Sequence, residues 1–400
     1  ATIDLDLKGD GDRLRLKPMS LRIGESSLEG DLTIAEGDVP RIEGSFHSSR
    51  LDMGALLPER AEPTPPDAEV PADPRQGPVA GKRSAKKSAE KVIPDTPIPM
   101  EVLQKFNAEI DIKVDELIYS PHIIRNVVLD TKVEAGAFGF KRFGLHTPRG
   151  GRLEGVLKLR PTPQGPQLGA RLYGKELTIG LPAKDEQELK NLPHYDLSFA
   201  AKSTGATVRS MAAAADGYIR LEMGKGRLRA GAMRIFTNDF LSQLLYTLNP
   251  FSRDEPYTKV RCGMFLASVE EGQLEGKPIV VLRTDRIDIS ATAELDLATE
   301  KVTATFKTTP RKGLGFSLSS LVNPYVMVAG TLANPVLTLD PEGTLIEGGA
   351  AVATAGLSIV AKGLKDRFFS DKDPCGTAAM QANKDQHALE KKFAEDPMIQ

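Results

Sequence analysis

Apolar and polar residues alternate strictly along much of this chain. From Arg286 onward Ile287, Ile289, Ala291, Ala293, Leu295 and Leu297 are apolar, while Asp288, Ser290, Thr292, Glu294 and Asp296 between them are polar or charged. A period of two puts all six apolar side chains on one face of an extended strand. The same alternation recurs at Ile3, Leu5 and Leu7; at Leu28, Leu32 and Ile34; at Ile110, Ile112 and Val114; at Leu153, Leu157 and Leu159; at Ile219, Leu221 and Met223; and at Val302, Ala304 and Phe306. Loops rich in glycine, aspartate and small residues at Gly9–Asp12, Gly136–Gly139, Gly224–Gly226 and Ala298–Glu300 predict hairpins between such strands. The total is about sixteen to twenty antiparallel strands of about five to eight residues, each wet on one face.

A short phrase recurs at strand level without a fixed period: Leu28-Glu29-Gly30, Ile42-Glu43-Gly44, Leu153-Glu154-Gly155 and Leu274-Glu275-Gly276. The irregular spacing excludes a propeller blade or a leucine-rich unit. Two segments read as helices. One covers about Asn238 to Leu248, with Thr237 as its N-cap, a stripe of Phe240, Leu241, Leu244, Leu245 and Leu248, and Asn249-Pro250 as its stop. The other covers about Leu345 to Phe368, rich in small residues early and carrying Lys362, Lys365 and Arg367 late, where cations suit the helix dipole.

These elements divide the chain into strands over 1–57, a proline-rich and basic insertion over 58–99, further strands over 100–235, a mixed region over 236–375, and a polar flexible tail over 376–400. The insertion holds ten prolines and almost no large apolar residue, so it is expected to stay disordered. In the tail only Gln386 to Phe393 shows transient helical character. Two helices cannot cover the apolar faces of so many strands. A second sheet, closure into a barrel, or a nonprotein apolar ligand such as acyl chains must do so. The predicted fold is mainly β, an elongated, twisted antiparallel meander with a few amphipathic helices near its C-terminal end; a sandwich is the commoner arrangement for such a chain, and a long sheet curled into an open apolar groove also fits.

Composition narrows the chemistry. The 52 Lys and Arg nearly cancel the 54 Asp and Glu, so no strong basic field marks a nucleic-acid partner. The Gly348 to Ala361 segment, 14 residues free of formal charge, falls short of the roughly 20 apolar residues that a spanning helix needs. Cys262 and Cys375 lack metal or redox spacing; an isolated pair suggests one bridge in an oxidising compartment, the alternative being two buried thiols. No G-x-S-x-G, H-E-x-x-H, Walker or G-x-G-x-x-G motif occurs. Asp4-x-Asp6-x-Lys8-Gly9 starts like a calcium loop, but Lys8 and Arg15 stand where oxygen ligands belong. His47, His122, His146, His194 and His387 are scattered without a nucleophile motif. The sequence therefore predicts no enzyme, no cofactor and no metal.

A resemblance appears in the C-terminal part. Phe236 to Pro250, then Val260-Arg261-Cys262, Glu271 to Leu274, the strands from Thr284 to Phe306, Val328 to Pro335, Leu337 to Asp340 and Asp373-Pro374-Cys375 follow one another in an order that resembles the AsmA-like family of bacterial envelope proteins. The match covers residues 165 to 376. It implies a periplasmic β-groove of the bridge-like lipid-transfer type, held to the inner membrane by an N-terminal segment absent from this chain. It also implies movement of phospholipid toward the outer membrane, in support of that membrane's integrity. The expected partners are phospholipid, membrane surfaces at one or both ends, and outer- or inner-membrane proteins, without nucleic acid. The groove would be lined by Ile110, Ile112, Leu153, Leu157, Ile219, Leu221, Met223, Ile287, Ile289, Leu295, Leu297, Val302 and Phe306. The stripe Phe240, Leu241, Leu244, Leu245 and Leu248 would lid it or touch a membrane, and Cys262 and Cys375 would form the disulfide. Ordinary core packing is the competing account of the same apolar residues. A scaffold for outer-membrane proteins and a soluble lipid or sterol carrier are the competing functions.

Overall fold

The structure, a computed structural model, describes residues 2–56, 91–119, 122–178, 186–229, 257–311, 325–338 and 374–399. Among these, alternation becomes one open sheet of 19 strands. β1 (Thr2–Asp10), β2 (Arg13–Ile23), β3 (Ser26–Ala35) and β4 (Arg41–Ser48) pair antiparallel in chain order. Next come β5 (Leu51–Asp52) and helix α1 (Met53–Leu56), then α2 (Met100–Leu103) and β6 (Asn107–Tyr119). Antiparallel pairing resumes through β7 (His122–Glu134), β8 (Ala137–His146), β9 (Arg152–Arg160), β10 (Gln167–Leu177), β11 (Tyr195–Thr204) and β12 (Asp216–Met223). Helices α3 (Glu186–Asn191) and α4 (Val208–Ala213) sit in the connections on either side of β11. Beyond β13 (Gly226–Arg229), the strands β14 (Tyr257–Glu270), β15 (Gln273–Thr284), β16 (Ile287–Asp296), β17 (Lys301–Pro310), β18 (Tyr325–Thr331) and β19 (Pro335–Thr338) continue the meander. Helix α5 (Pro374–Ala394) follows.

The expected fold class holds, with one change of direction. β4 and β5 run parallel to β6, with Phe46 opposite Ile112 and Leu51 opposite Leu117. Parallel neighbours need a long crossover, and the stretch between Asp52 and Asn107, which contains the proline-rich insertion, supplies it. A second difference is local. Gly224-Lys225-Gly226 is not a hairpin, because β12 and β13 both pair with β14 along one line, Met223 opposite Gly263 and Gly226 opposite Val260. Those glycines instead admit the backbone of Pro193 and the ring of His194, against which a Cβ at either position would collide.

The disorder expected over 58–99 does not extend to its last part. Residues 58–90 lie outside the described residues, but 91–98 are fixed along one margin of the sheet. The Val92 and Ile93 N–H groups donate to the two carboxylate oxygens of Glu300, each at 2.8 Å. Lys91 Nζ donates to Ala298 O at 3.0 Å, and Arg209 Nη2 donates to Ile93 O at 2.7 Å. Further along, Val208 N–H donates to Thr96 O at 3.0 Å and Ile98 N–H to Ala206 O at 2.9 Å. Few apolar side chains are needed here because the backbone groups find partners of their own.

The tail also departs from expectation. Instead of a flexible polar segment over 376–400, α5 runs from Pro374 to Ala394 and is tied at both ends. Cys375 forms the disulfide with Cys262, and Cys375 and Ala378 pack on Met264, Leu266 and Val281. At the far end Phe393, Met398 and Ile399 bury against Ala200 and Tyr218, and Lys202 Nζ pairs with Asp396 at 3.3 Å. The predicted helices over 238–248 and 345–368 lie outside the described residues. No helix among the described residues is long and apolar enough to cross a membrane. A longer charge-free run, residues 313–339, contains Pro324 and Pro335 and forms β18 and β19 over its described part.

Candidate functional site: a continuous apolar sheet face

Register carries the alternation from strand to strand. Starting at β1, Leu5 lies opposite Met19, Met19 opposite Gly30, Gly30 opposite Phe46 and Phe46 opposite Ile112. The row continues through Leu129, Phe143, Gly155, Leu172, Phe199 and Ile219 to Ala267 on β14. Twelve strands thus contribute one residue each, and none of the twelve is polar. A neighbouring row runs Leu145, Leu153, Gly174, Leu197, Leu221 and Phe265, then Val280, Ala291, Phe306 and Val326. Ion pairs such as Arg142–Asp130 at 2.8 Å and Arg283–Asp288 at 2.9 Å belong to the other face.

The recurring Leu/Ile-Glu-Gly phrase now has a physical role. Its glycine falls on the apolar face, where the absent Cβ leaves space for a neighbour's side chain: a Cβ at Gly44 would meet Phe46, Leu32 and Ile110, and one at Gly155 would meet Leu172. Neighbouring large side chains therefore occupy the space that a Cβ would take at these positions.

Exposure varies along this face, with Val114 on β6 and Val133 on β7 already buried. From Leu5 to Ile219 every residue of the first row is partly or largely exposed, and Ala267 is the first that is buried. In β14 to β18 the face becomes a packed core of Ala267, Ile287, Ile289, Ala291, Ala293, Ala304, Val326 and Val328. The predicted groove residues Ile110, Ile112, Leu153, Leu157, Ile219, Leu221 and Met223 are all part-buried, as are Phe265 on β14 and Val280 on β15. Leu295, Val302 and Phe306 are half-buried at the edge of the packed core, with Leu297 just beyond the end of β16. Ile287 and Ile289 are enclosed in it. The stripe Phe240, Leu241, Leu244, Leu245 and Leu248 lies outside the described residues. Phe46, Leu129, Phe143, Leu172 and Phe199 were missed as members of this face. Alternation within each of their strands carries the signal, but only register brings them into one line.

A cavity of about 710 Å3 lies between α5 and β7 to β12. Arg142, Glu154, Arg171, Tyr173, Tyr218 and Glu390 are among its lining residues. Burial pushes the Tyr218 phenol up, partly offset by its hydrogen bond to the Ser198 hydroxyl at 3.2 Å. These groups include no nucleophile paired with a base. Among the described residues no cluster of His, Cys, Asp or Glu is suited to a metal ion.

No family model, no curated protein and no solved structure matches this chain.

Proposed function

We propose that this protein carries phospholipid between the inner and outer membranes, with acyl chains lying on the apolar sheet face and headgroups left in water. The observation that carries this reading is the uninterrupted row from Leu5 to Ile219, apolar or glycine at every strand and nowhere sealed. A protein partner on such a face would need hydrogen bonds at intervals of about 100–200 Å2 to fix its position, and the row provides no side chain for them. Hydrocarbon needs none. Moving along the face, each methylene avoids re-entering water, a cost of about 0.8 kcal/mol. The chain itself needs to perform no chemistry. The disulfide supports an oxidising compartment such as the periplasm.

Native mass spectrometry of the gently purified protein tests the reading. Several bound phospholipids are expected. One defined lipid would favour a carrier, and none would favour a scaffold. Leu157→Asp places a charge on the half-exposed face; it is expected to leave the protein folded by circular dichroism while stripping most of the lipid. A folded, fully lipid-loaded Leu157→Asp protein would count against the proposal.

A further inference from the structure

The geometry points to a second binding site: the cavity between α5 and the sheet takes a small zwitterion, its ammonium group facing Glu390 on the helix and its carboxylate or phosphate facing Arg171 on β10. This site does not depend on the lipid-carrying reading. Arg171 precedes Leu172 of the apolar row, so alternation sends it to the other side of the sheet. There it lies opposite Ala200, and Ala200 opposite Tyr218. Ala200 and Tyr218 are buried under Phe393, Met398 and Ile399 at the end of α5, so Arg171 stands beside the place where the helix docks. Glu390 is three residues before Phe393, which puts both on the same side of the helix.

Six charged Lys, Arg and Glu side chains line the cavity, and four of them are matched. Lys141 pairs with Glu109, Arg142 with Asp130 at 2.8 Å, and Arg152 with Glu154 at 3.6 Å. Arg171 and Glu390 make no ion pair or hydrogen bond among the described residues. Both charges reach the Tyr218 phenol: besides burial and the bond to Ser198, Glu390 pushes its pKa up and Arg171 pushes it down. The helix cannot slide to close the gap, because its end is held by Phe393, Met398 and Ile399 and by the pairing of Asp396 with Lys202. A simple anion would suit Arg171 but meet Glu390, and a simple cation would meet the reverse conflict. A molecule that carries both signs satisfies both. The Tyr173 ring, 48% exposed, offers its body a surface, and the hydroxyls of Ser198 and Tyr218 offer neutral hydrogen bonds. The volume of about 710 Å3 lies within the range of about 300–1,000 Å3 usual for small-molecule pockets.

Isothermal titration calorimetry of the full chain tests this with four probes. Glycylglycine and glycerophosphoethanolamine carry both charges, whereas ethanolamine and inorganic phosphate carry one sign each. At least one zwitterion is expected to bind about tenfold or more tightly than either single-sign probe, the factor that one charge-assisted hydrogen bond supplies. Preference for glycerophosphoethanolamine would assign the site to a lipid headgroup, and preference for glycylglycine to a free amino acid or short peptide. Arg171→Ala and Glu390→Ala should each lose about tenfold in affinity while circular dichroism stays unchanged. The double exchange Arg171→Glu with Glu390→Arg should recover binding with the ligand reversed. No heat from either zwitterion, phosphate or ethanolamine binding as tightly as the zwitterions, or undiminished binding to a folded Arg171→Ala protein would each overturn the site.

Discussion

Strands β8 to β12 and strands β14 to β18 belong to one sheet, share one apolar face and show the same alternation, yet they meet the solvent differently. In the first group Leu157, Phe199 and Leu221 stay partly exposed, and the face is lined by large side chains with glycines between them. In the second the face carries Ala267, Ala291, Ala293 and Ala304 among Ile and Val, and these small and branched residues are buried. The helix α5 spans both groups from the opposite side, pinned by the disulfide on β14 and by Phe393, Met398 and Ile399 over β11 and β12. Alternation thus specifies a face, whereas burial decides whether that face is core or binding surface.

The sharpest way to break this contrast is a matched pair of truncations. Ile287→Ala is expected to cost about 3–5 kcal/mol, because a fully buried branched side chain leaves a cavity. Leu157→Ala should cost about 1 kcal/mol, since part of its surface is already wet. Urea denaturation of the two proteins side by side checks this, and equal losses would erase the distinction between the regions.

Removing the bridge probes the brace that joins them. Cys262 and Cys375 are 113 residues apart with Cα atoms 6.3 Å apart, so the cross-link closes a long loop in the unfolded chain. The double change Cys262→Ser with Cys375→Ser is expected to lower stability by about 2–4 kcal/mol. Hydrogen exchange should rise first at the Cys375 end of α5, while the Phe393 end stays protected; uniform loss along the helix would show that the far anchor does not act independently.

A smaller effect concerns the margin where residues 91–98 meet the turn between β16 and β17. Burial pushes the Glu300 carboxyl up, but the Val92 and Ile93 N–H donors, with Lys91 and Arg209 nearby, more than reverse this and hold its pKa below the ordinary 4.5. With the folded value depressed, the carboxylate contributes stability that is present above the ordinary range and is lost as pH falls through the folded value. Glu300→Gln should cost about 1.5–3 kcal/mol, as expected for hydrogen bonds to a charged acceptor, and should flatten the acid limb of the stability profile. Limited proteolysis within 91–98 as a function of pH checks it; an unchanged acid limb in the variant would remove Glu300 from that role.

Much of the sheet was legible in the sequence. Alternation around Ile110, Leu153, Ile219 and Ile287 placed strands where they occur, and Gly9–Asp12 and Ala298–Glu300 marked real turns. Less legible were contacts whose chemistry is in the backbone. Nothing in Val92 or Ile93 announces that their N–H groups meet a glutamate more than two hundred residues away. The anchors of α5 are three apolar residues, Phe393, Met398 and Ile399, at the end of a polar segment, too sparse to produce a periodic signal. The parallel step from β4 to β6 was hidden for a similar reason: strand patterns carry no sign of direction, and only the length of the crossover hints at it.

By itself the sequence determined which side chains share a face, because a pleated strand sends alternate residues to opposite sides whatever surrounds it. It also determined the two cysteines available for a bridge and the near balance of charge. Only the tertiary structure decided which strands lie side by side, and therefore that Leu5 and Ile219 end up in one continuous row. It alone separated Ile287, enclosed on every side, from Leu157, left partly in water. The reason is that alternation assigns a side chain to a face, whereas the share of it left in water depends on the neighbours that strand pairing and packing gather around it.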